Sequence, residues 1–228
     1  MTWCWMRRGI TQGRCDHKPD GRYSNLATKG ERTRESILAV AESLVLKNGY
    51  SGTSIDQVIQ ESGITKGGFF YHFDGKTDLA KHLVIRYLDQ DAQFFQGLMS
   101  RAHELSHDPL QQMLLFVKLM AEQMAELPDT HPGCLVASLT YESNILNPEI
   151  HSLVADGILS WRTLFGEQLR KVMAAYEPKI EVSVDELADM LTSSIEGGIL
   201  LSRSLNDKSC LPKQLLGYHS YLRLLFSA

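Results

Sequence analysis

Three stretches of the 228-residue sequence hold side chains whose types and spacing could do chemistry. His103-Glu104-Leu105-Ser106-His107 has the form in which two histidines one helical turn apart hold zinc while the glutamate between them activates water. Thr65-Lys66-Gly67-Gly68-Phe69-Phe70-Tyr71-His72 suits recognition without bond-making. There Lys66 fits a phosphate or a guanine edge, Gly67 lets a helix start come close to a backbone, and Tyr71 and His72 offer hydrogen bonds at phosphate distance. The third is a single thiol, Cys134, which follows a turn-forming Pro132-Gly133 and precedes an apolar helix. A thiol so placed could sense electrophiles, but a small buried side chain is the favoured reading. Cys210 shares the ambiguity with less to recommend it.

The elements around these motifs decide between them. Asp108-Pro109 starts a new element directly after His107, and His103 lies among polar Ser100, Arg101 and Glu104. The pentapeptide therefore reads as a surface helix end, and a zinc hydrolase is set aside as the lesser alternative. No catalytic residue, metal ligand or cofactor is assigned. The surroundings of residues 65–73 form a helix-turn-helix, which needs a supporting helix, a tight corner and a reading helix with an outward polar face. Val58 and Ile59 supply the inner face of the supporting helix, Gly63 the corner, and Ile64 and Phe69 the apolar pegs. Thr53 or Ser54 begins the supporting helix and Thr65 caps the reading helix. A packed hairpin with Phe69, Phe70 and Phe73 as plain core leaves Thr-Lys-Gly at the start and Tyr-His at the end unexplained.

Along the chain, residues 1–27 hold Trp3, Trp5 and five basic residues without periodicity and read as a flexible basic extension. From Thr33 a first helix shows Ile37, Leu38, Ala41, Leu44 and Val45 at helical spacing, with Gly49 as a left-handed stop. Asp74-Gly75 breaks the chain before a fourth helix that begins near Lys76 and runs past Leu88. Prolines 109, 148 and 212 stand where first turns tolerate them, and Ser183-x-x-Glu186 is a capping box. No segment alternates as a strand does. The expected fold is all-α: an extension over 1–27, a three-helix DNA-binding domain over 28–75, and a larger helical domain over 76–228.

Composition fits. Residues 1–90 carry 13 Lys and Arg against 10 Asp and Glu, whereas residues 91–228 carry 10 against 17. The net charge of −4 thus hides a basic front and an acidic rear, and only the front suits a polyanion. No apolar run nears the ~20 residues of a membrane span, and no secretion signal opens the chain, so a cytoplasmic protein is expected. The four cysteines form neither a Cys-x-x-Cys pair nor a disulfide framework.

At these residues the sequence resembles the TetR family of bacterial one-component regulators. Its reading helix and exit commonly run Ser/Thr-Lys-Gly-x-Leu/Phe-Tyr-Tyr-His-Phe, then a linker with Lys and an acidic-Leu pair. Here the stretch is Thr65-Lys66-Gly67-Gly68-Phe69-Phe70-Tyr71-His72-Phe73, then Lys76-Thr77-Asp78-Leu79. With Gly49-Tyr50 and Thr53-Ser54-Ile55 upstream, the likeness covers roughly residues 31–90. His131-Pro132-Gly133-Cys134-Leu135 looks like a segment found in some members. Phe70 stands where the family usually has tyrosine, and Gly68 where a base-reading side chain often sits. Direct readout is thereby weakened, and DNA shape, Lys66, Ser54 and the start of the first helix are expected to share the selectivity.

The resemblance implies a homodimer that binds a palindromic double-stranded operator through Ser54, Thr65, Lys66, Gly67, Gly68, Phe70, Tyr71, His72 and Lys76. A repressor released by a small-molecule effector is expected, with a ligand- or thiol-responsive activator as the alternative. Met113, Met120, Met124, Tyr141, Glu142, Trp161, Arg162 and Phe165 are candidates for the effector cavity, with Asn144 as a further polar one. Residues 183–205 and 212–226 read as the pairing helices, with Ile195, Ile199, Leu200, Leu215, Leu222 and Leu225 in register and Gly197-Gly198 allowing close approach. An enzyme built on the helical domain lacks a second convergent cluster, and a protein-binding adaptor gives no reason for Lys66 and His72.

Overall fold

The computed structural model describes residues 28–142 and 147–226. The extension 1–27 and Asn144 lie outside the described residues. Nine α-helices and no strand are found among the described residues: α1 Lys29–Asn48, α2 Ile55–Ser62, α3 Lys66–His72, α4 Lys76–Leu105, α5 Pro109–Ala125, α6 Leu135–Tyr141, α7 Pro148–Ala175, α8 Val184–Leu205 and α9 Cys210–Phe226. Contacts divide the chain into two compact units, with the boundary between Leu83 and Val84 inside α4.

In the first unit α1 starts at Lys29, four residues before Thr33. The cause is a capping box: Thr28 Oγ1 accepts from the Glu31 amide at 3.2 Å while Glu31 Oε2 accepts from the Thr28 amide at 2.6 Å. Gly49 ends α1 at φ 78°, ψ 163°, a positive-φ stop that is not the left-handed helical conformation expected for it. Gly63 ends α2 in that conformation, at φ 67°, ψ 26°, and so turns the chain sharply into α3. Ile37, Leu38, Val58, Phe69, Phe73, Leu79 and Leu83 bury the inner faces of α1 to α3 and of the first turns of α4. Each such side chain contributes about 1.5–3 kcal/mol of burial.

The second unit is a bundle in which α9 packs on α5 and α8, and α7 on α5 and α8. Its centre holds Phe95, Phe116 and Phe165, with ring centroids 5.2 to 6.4 Å apart. One buried polar residue ties three helices together. The Gln168 amide nitrogen donates to the Pro109 carbonyl at 2.9 Å and to Gln112 Oε1 at 3.0 Å. Its Oε1 is then the acceptor for His103 Nε2 at 3.1 Å.

Candidate nucleic-acid interface

Capping fixes the helix-turn-helix at both starts. Ser54 Oγ accepts from the Gln57 amide at 3.2 Å and Gln57 Oε1 from the Ser54 amide at 2.8 Å, so Ser54 rather than Thr53 caps α2. Thr53 is buried and donates to the Gly49 carbonyl at 2.8 Å, which pins the turn before α2 to the end of α1. Thr65 Oγ1 accepts from the Gly68 amide at 3.0 Å and starts α3. The apolar side of α3 is anchored by Phe69, which is 0% exposed and lies 5.7 Å from Phe73 between ring centroids.

That anchoring sets which side chains point outward. Thr65, Lys66 and Gly67 are exposed, Tyr71 is 83% exposed, and Phe70 is half-exposed with its ring edge-on to Phe69 at 5.3 Å. His72 is half-buried, edge-on to Tyr71 at 4.9 Å, and a Cβ added to Gly30 near the start of α1 would lie 4.0 Å from its Cε1. At Gly67 an added side chain would meet nothing, whereas at Gly68 it would crowd Thr65 Oγ1 at 3.3 Å. Gly68 thus leaves the Thr65 cap uncrowded. Lys76 places its ammonium 4.4 Å from the Tyr50 ring centroid and donates to the Ser51 carbonyl at 3.5 Å. Behind this surface, Arg34 lies over the Phe73 ring at 5.2 Å, and burial together with the Arg34 charge lowers the His82 imidazole pKa.

The family described as "Bacterial regulatory proteins, tetR family" matches residues 37–83, which hold this helix-turn-helix, and "Tetracyclin repressor-like, C-terminal domain" matches residues 109–214. The chain belongs to the TetR family. The HTH-type transcriptional regulator LmrA of Bacillus subtilis is 28% identical over 190 residues, covering 80% of this chain and 96% of that protein. The probable acrEF/envCD operon repressor of Escherichia coli K12 is 24% identical over 175 residues, 75% of this chain and 74% of its own. A TetR transcriptional regulator from Chloroflexus aurantiacus superposes with a TM-score of 0.73 at 25% identity, covering 87% of this chain and 98% of its own. This TetR-family protein is accordingly a helix-turn-helix, DNA-binding transcriptional regulator.

In the second unit of this TetR-family regulator the effector candidates are scattered. Met113, Met120, Met124 and Phe165 are buried core. Tyr141 is 84% exposed, and Glu142 caps the end of α6. Arg162 is held in a bidentate pair with Asp189 at 2.8 and 2.7 Å. Trp161 alone of the eight lines a groove of about 700 Å³ between α4 and α7. Cys134 is buried, caps α6 by accepting from the Ala137 amide at 3.4 Å, and has its thiol pKa raised by burial and then by the Glu196 charge. α4 ends at Leu105, so His103 and His107 do not share a helix face, and His103 is bonded to Gln168. No cluster of potential metal ligands occurs among the described residues.

The pairing residues need correction in part: Leu200 is exposed and Ile195 half-buried, but the other four face inward. Ile199, Leu215, Leu222 and Leu225 are buried within the chain, and Gly198 serves the same packing, since a Cβ there would fall 2.9 Å from Leu211 Cα. The faces that α8 and α9 leave exposed carry Met190, Leu200, Leu201 and Leu205, and Leu216 and Leu224. Gly197 and Gly217 stand among them with open space before them. An apolar stripe on each side of α8 hid the distinction in the sequence.

Proposed function

We propose that this protein is a repressor that binds a palindromic duplex as a homodimer and leaves it when a small molecule binds its rear domain. The observation that carries the reading is the outward row from Thr65 to Tyr71 on a helix whose opposite side is locked by Phe69. In this reading residues 28–75 are the DNA-binding domain and residues 76–228 the effector and dimerisation domain. Lys66 meets a phosphate or a guanine edge, and Ser54, Thr65, Tyr71, His72 and Lys76 bond the DNA backbone. Gly67, Gly68 and Phe70 give close approach and apolar contact. The similarity to a probable operon repressor supports the sign of regulation.

Exposed Leu201, Leu205, Leu216 and Leu224 with the bare Gly197 and Gly217 support pairing through α8 and α9, because glycine lets two helix backbones approach. A two-fold dimer offers two reading helices to successive major grooves. α4 contributes to both units, so a ligand that prefers one arrangement of the rear domain changes operator affinity by its differential binding. No helix among the described residues is long and apolar enough to cross a membrane, in keeping with a cytoplasmic regulator.

The test is selection of bound duplexes from a random pool with the full chain. A palindrome with half-sites one helical turn or a multiple apart is expected, and recovery of unrelated sequences would overturn the reading. Expression of a reporter behind the selected site should fall when the protein is supplied. A rise would make it an activator.

A further inference from the structure

The exit of α3 is held from two other helices. Phe73 caps the end of α3, is 1% exposed, and carries the chain from helical into extended backbone. On its ring converge Arg34 of α1, whose guanidinium carbon lies 5.2 Å from the centroid, and His82 of α4, whose ring centroid lies 5.8 Å away. Exposed Tyr71 and half-buried His72 directly precede Phe73, and the His72 ring faces it at 6.4 Å. A displacement of Phe73 is therefore a displacement of the outward face.

The charges around this ring suit one protonation state of His82. Asp78 Oδ2 accepts from the Asp74 amide at 3.1 Å, which ties the corner between α3 and α4, while its Oδ1 stands 3.5 Å from His82 Nε2. Burial is the largest influence against a charge on His82, the Arg34 charge follows and Lys81 adds to it, whereas Asp78 favours the charge. A neutral imidazole can share the Phe73 ring with the guanidinium. An imidazolium sets two cations against one ring, with one carboxylate, already engaged at Asp74, to offset them.

We propose that Arg34 and His82 are positioning residues for DNA recognition, holding Phe73 from α1 and α4, and that protonation of His82 breaks this hold and weakens duplex binding. The inference rests on α3 being the reading helix, as proposed above.

Duplex affinity of the full chain and of His82→Phe is measured by fluorescence anisotropy from about pH 8 to about pH 5 at constant salt. Phenylalanine keeps a ring against Phe73 but takes no proton, and every other histidine is common to both proteins and cancels in the ratio. The two should bind alike within about two-fold at the alkaline end, and the wild type should be about five-fold weaker at the acid end, a modest coupling of proton to duplex. In an Arg34→Met background, where the guanidinium is gone, the same ratio should change by less than about two-fold. Coupling is reciprocal, so bound duplex should lower the His82 titration midpoint by about 0.7 pH unit, followed by its Cε1–H nuclear magnetic resonance signal. A histidine that only lies near the polyanion would move upward instead. The signal is assigned by its loss in His82→Gln. A ratio constant with pH, a change that persists in Arg34→Met, or an unmoved or raised midpoint would overturn the inference and leave α3 as the reading helix. Absence of duplex binding by the wild type at every pH would overturn both.

Discussion

At the residue scale, the reading surface is defined by what each side chain is free to do. Lys66 is exposed on a helix start whose cap is filled by Thr65, so its ammonium is available to the DNA, while Lys76, held on the Tyr50 ring and the Ser51 carbonyl, keeps further N–H donors for the DNA backbone. Lys66→Ala should weaken duplex binding and reduce the slope of log affinity against log salt by about one, as loss of one phosphate contact does. An unchanged slope with lost sequence preference would instead assign Lys66 to a base edge. The positions most legible in the sequence were those fixed by local chemistry: Thr65 as a cap, Gly63 as the residue type most at ease in its left-handed backbone conformation, Phe69 as the peg. Gln168 and Trp161 were less legible. A lone polar residue in an apolar stripe gives no hint of three partners on two other helices, and an indole N–H without an acceptor is visible only in three dimensions.

At the scale of elements, helix starts were readable wherever a cap preceded an apolar repeat, as at Asp108, Asn147 and Ser183, each of which accepts a bond from the first turn. The start of α1 was missed because Lys29 to Arg32 show no apolar period and only the Thr28–Glu31 box marks it. The α8 and α9 faces were misassigned in part, Leu200 and Gly197 excepted, because sequence alone cannot say which of two apolar stripes faces the chain's own core. Adjacent glycines separate the two roles. Gly198→Ala should destabilise the monomer by about 1–3 kcal/mol through overpacking on Leu211, seen as a lowered midpoint in urea. Gly197→Leu meets nothing within the chain, so it should leave helical content intact while raising the dimer dissociation constant in sedimentation. A dimer unaffected by Gly197→Leu would place the pairing surface elsewhere.

At the scale of the whole molecule, acid should weaken the fold in a defined window. Burial, with the Arg203 charge adding to it, pushes the His131 imidazole from 6.5 down to about 4, and its Nδ1 accepts from the Gly133 amide at 3.3 Å. The folded state therefore refuses a proton that the unfolded chain accepts below pH 6.5, so this contribution is complete above that value and is lost as pH falls toward 4. His131→Gln should flatten the dependence of unfolding free energy on pH across that window. Glu196, whose carboxyl pKa is raised by burial, works in the opposite sense near its own titration and offsets part of the loss.

The central claim is that a basic front on an acidic chain reads DNA through α3. Fluorescence anisotropy of the full chain on its selected palindrome, followed from low to physiological salt, tests it most directly. The account predicts tight binding whose logarithm falls linearly and steeply with log salt, with a smaller slope for Lys66→Ala. Failure to bind any duplex even at low salt would contradict it.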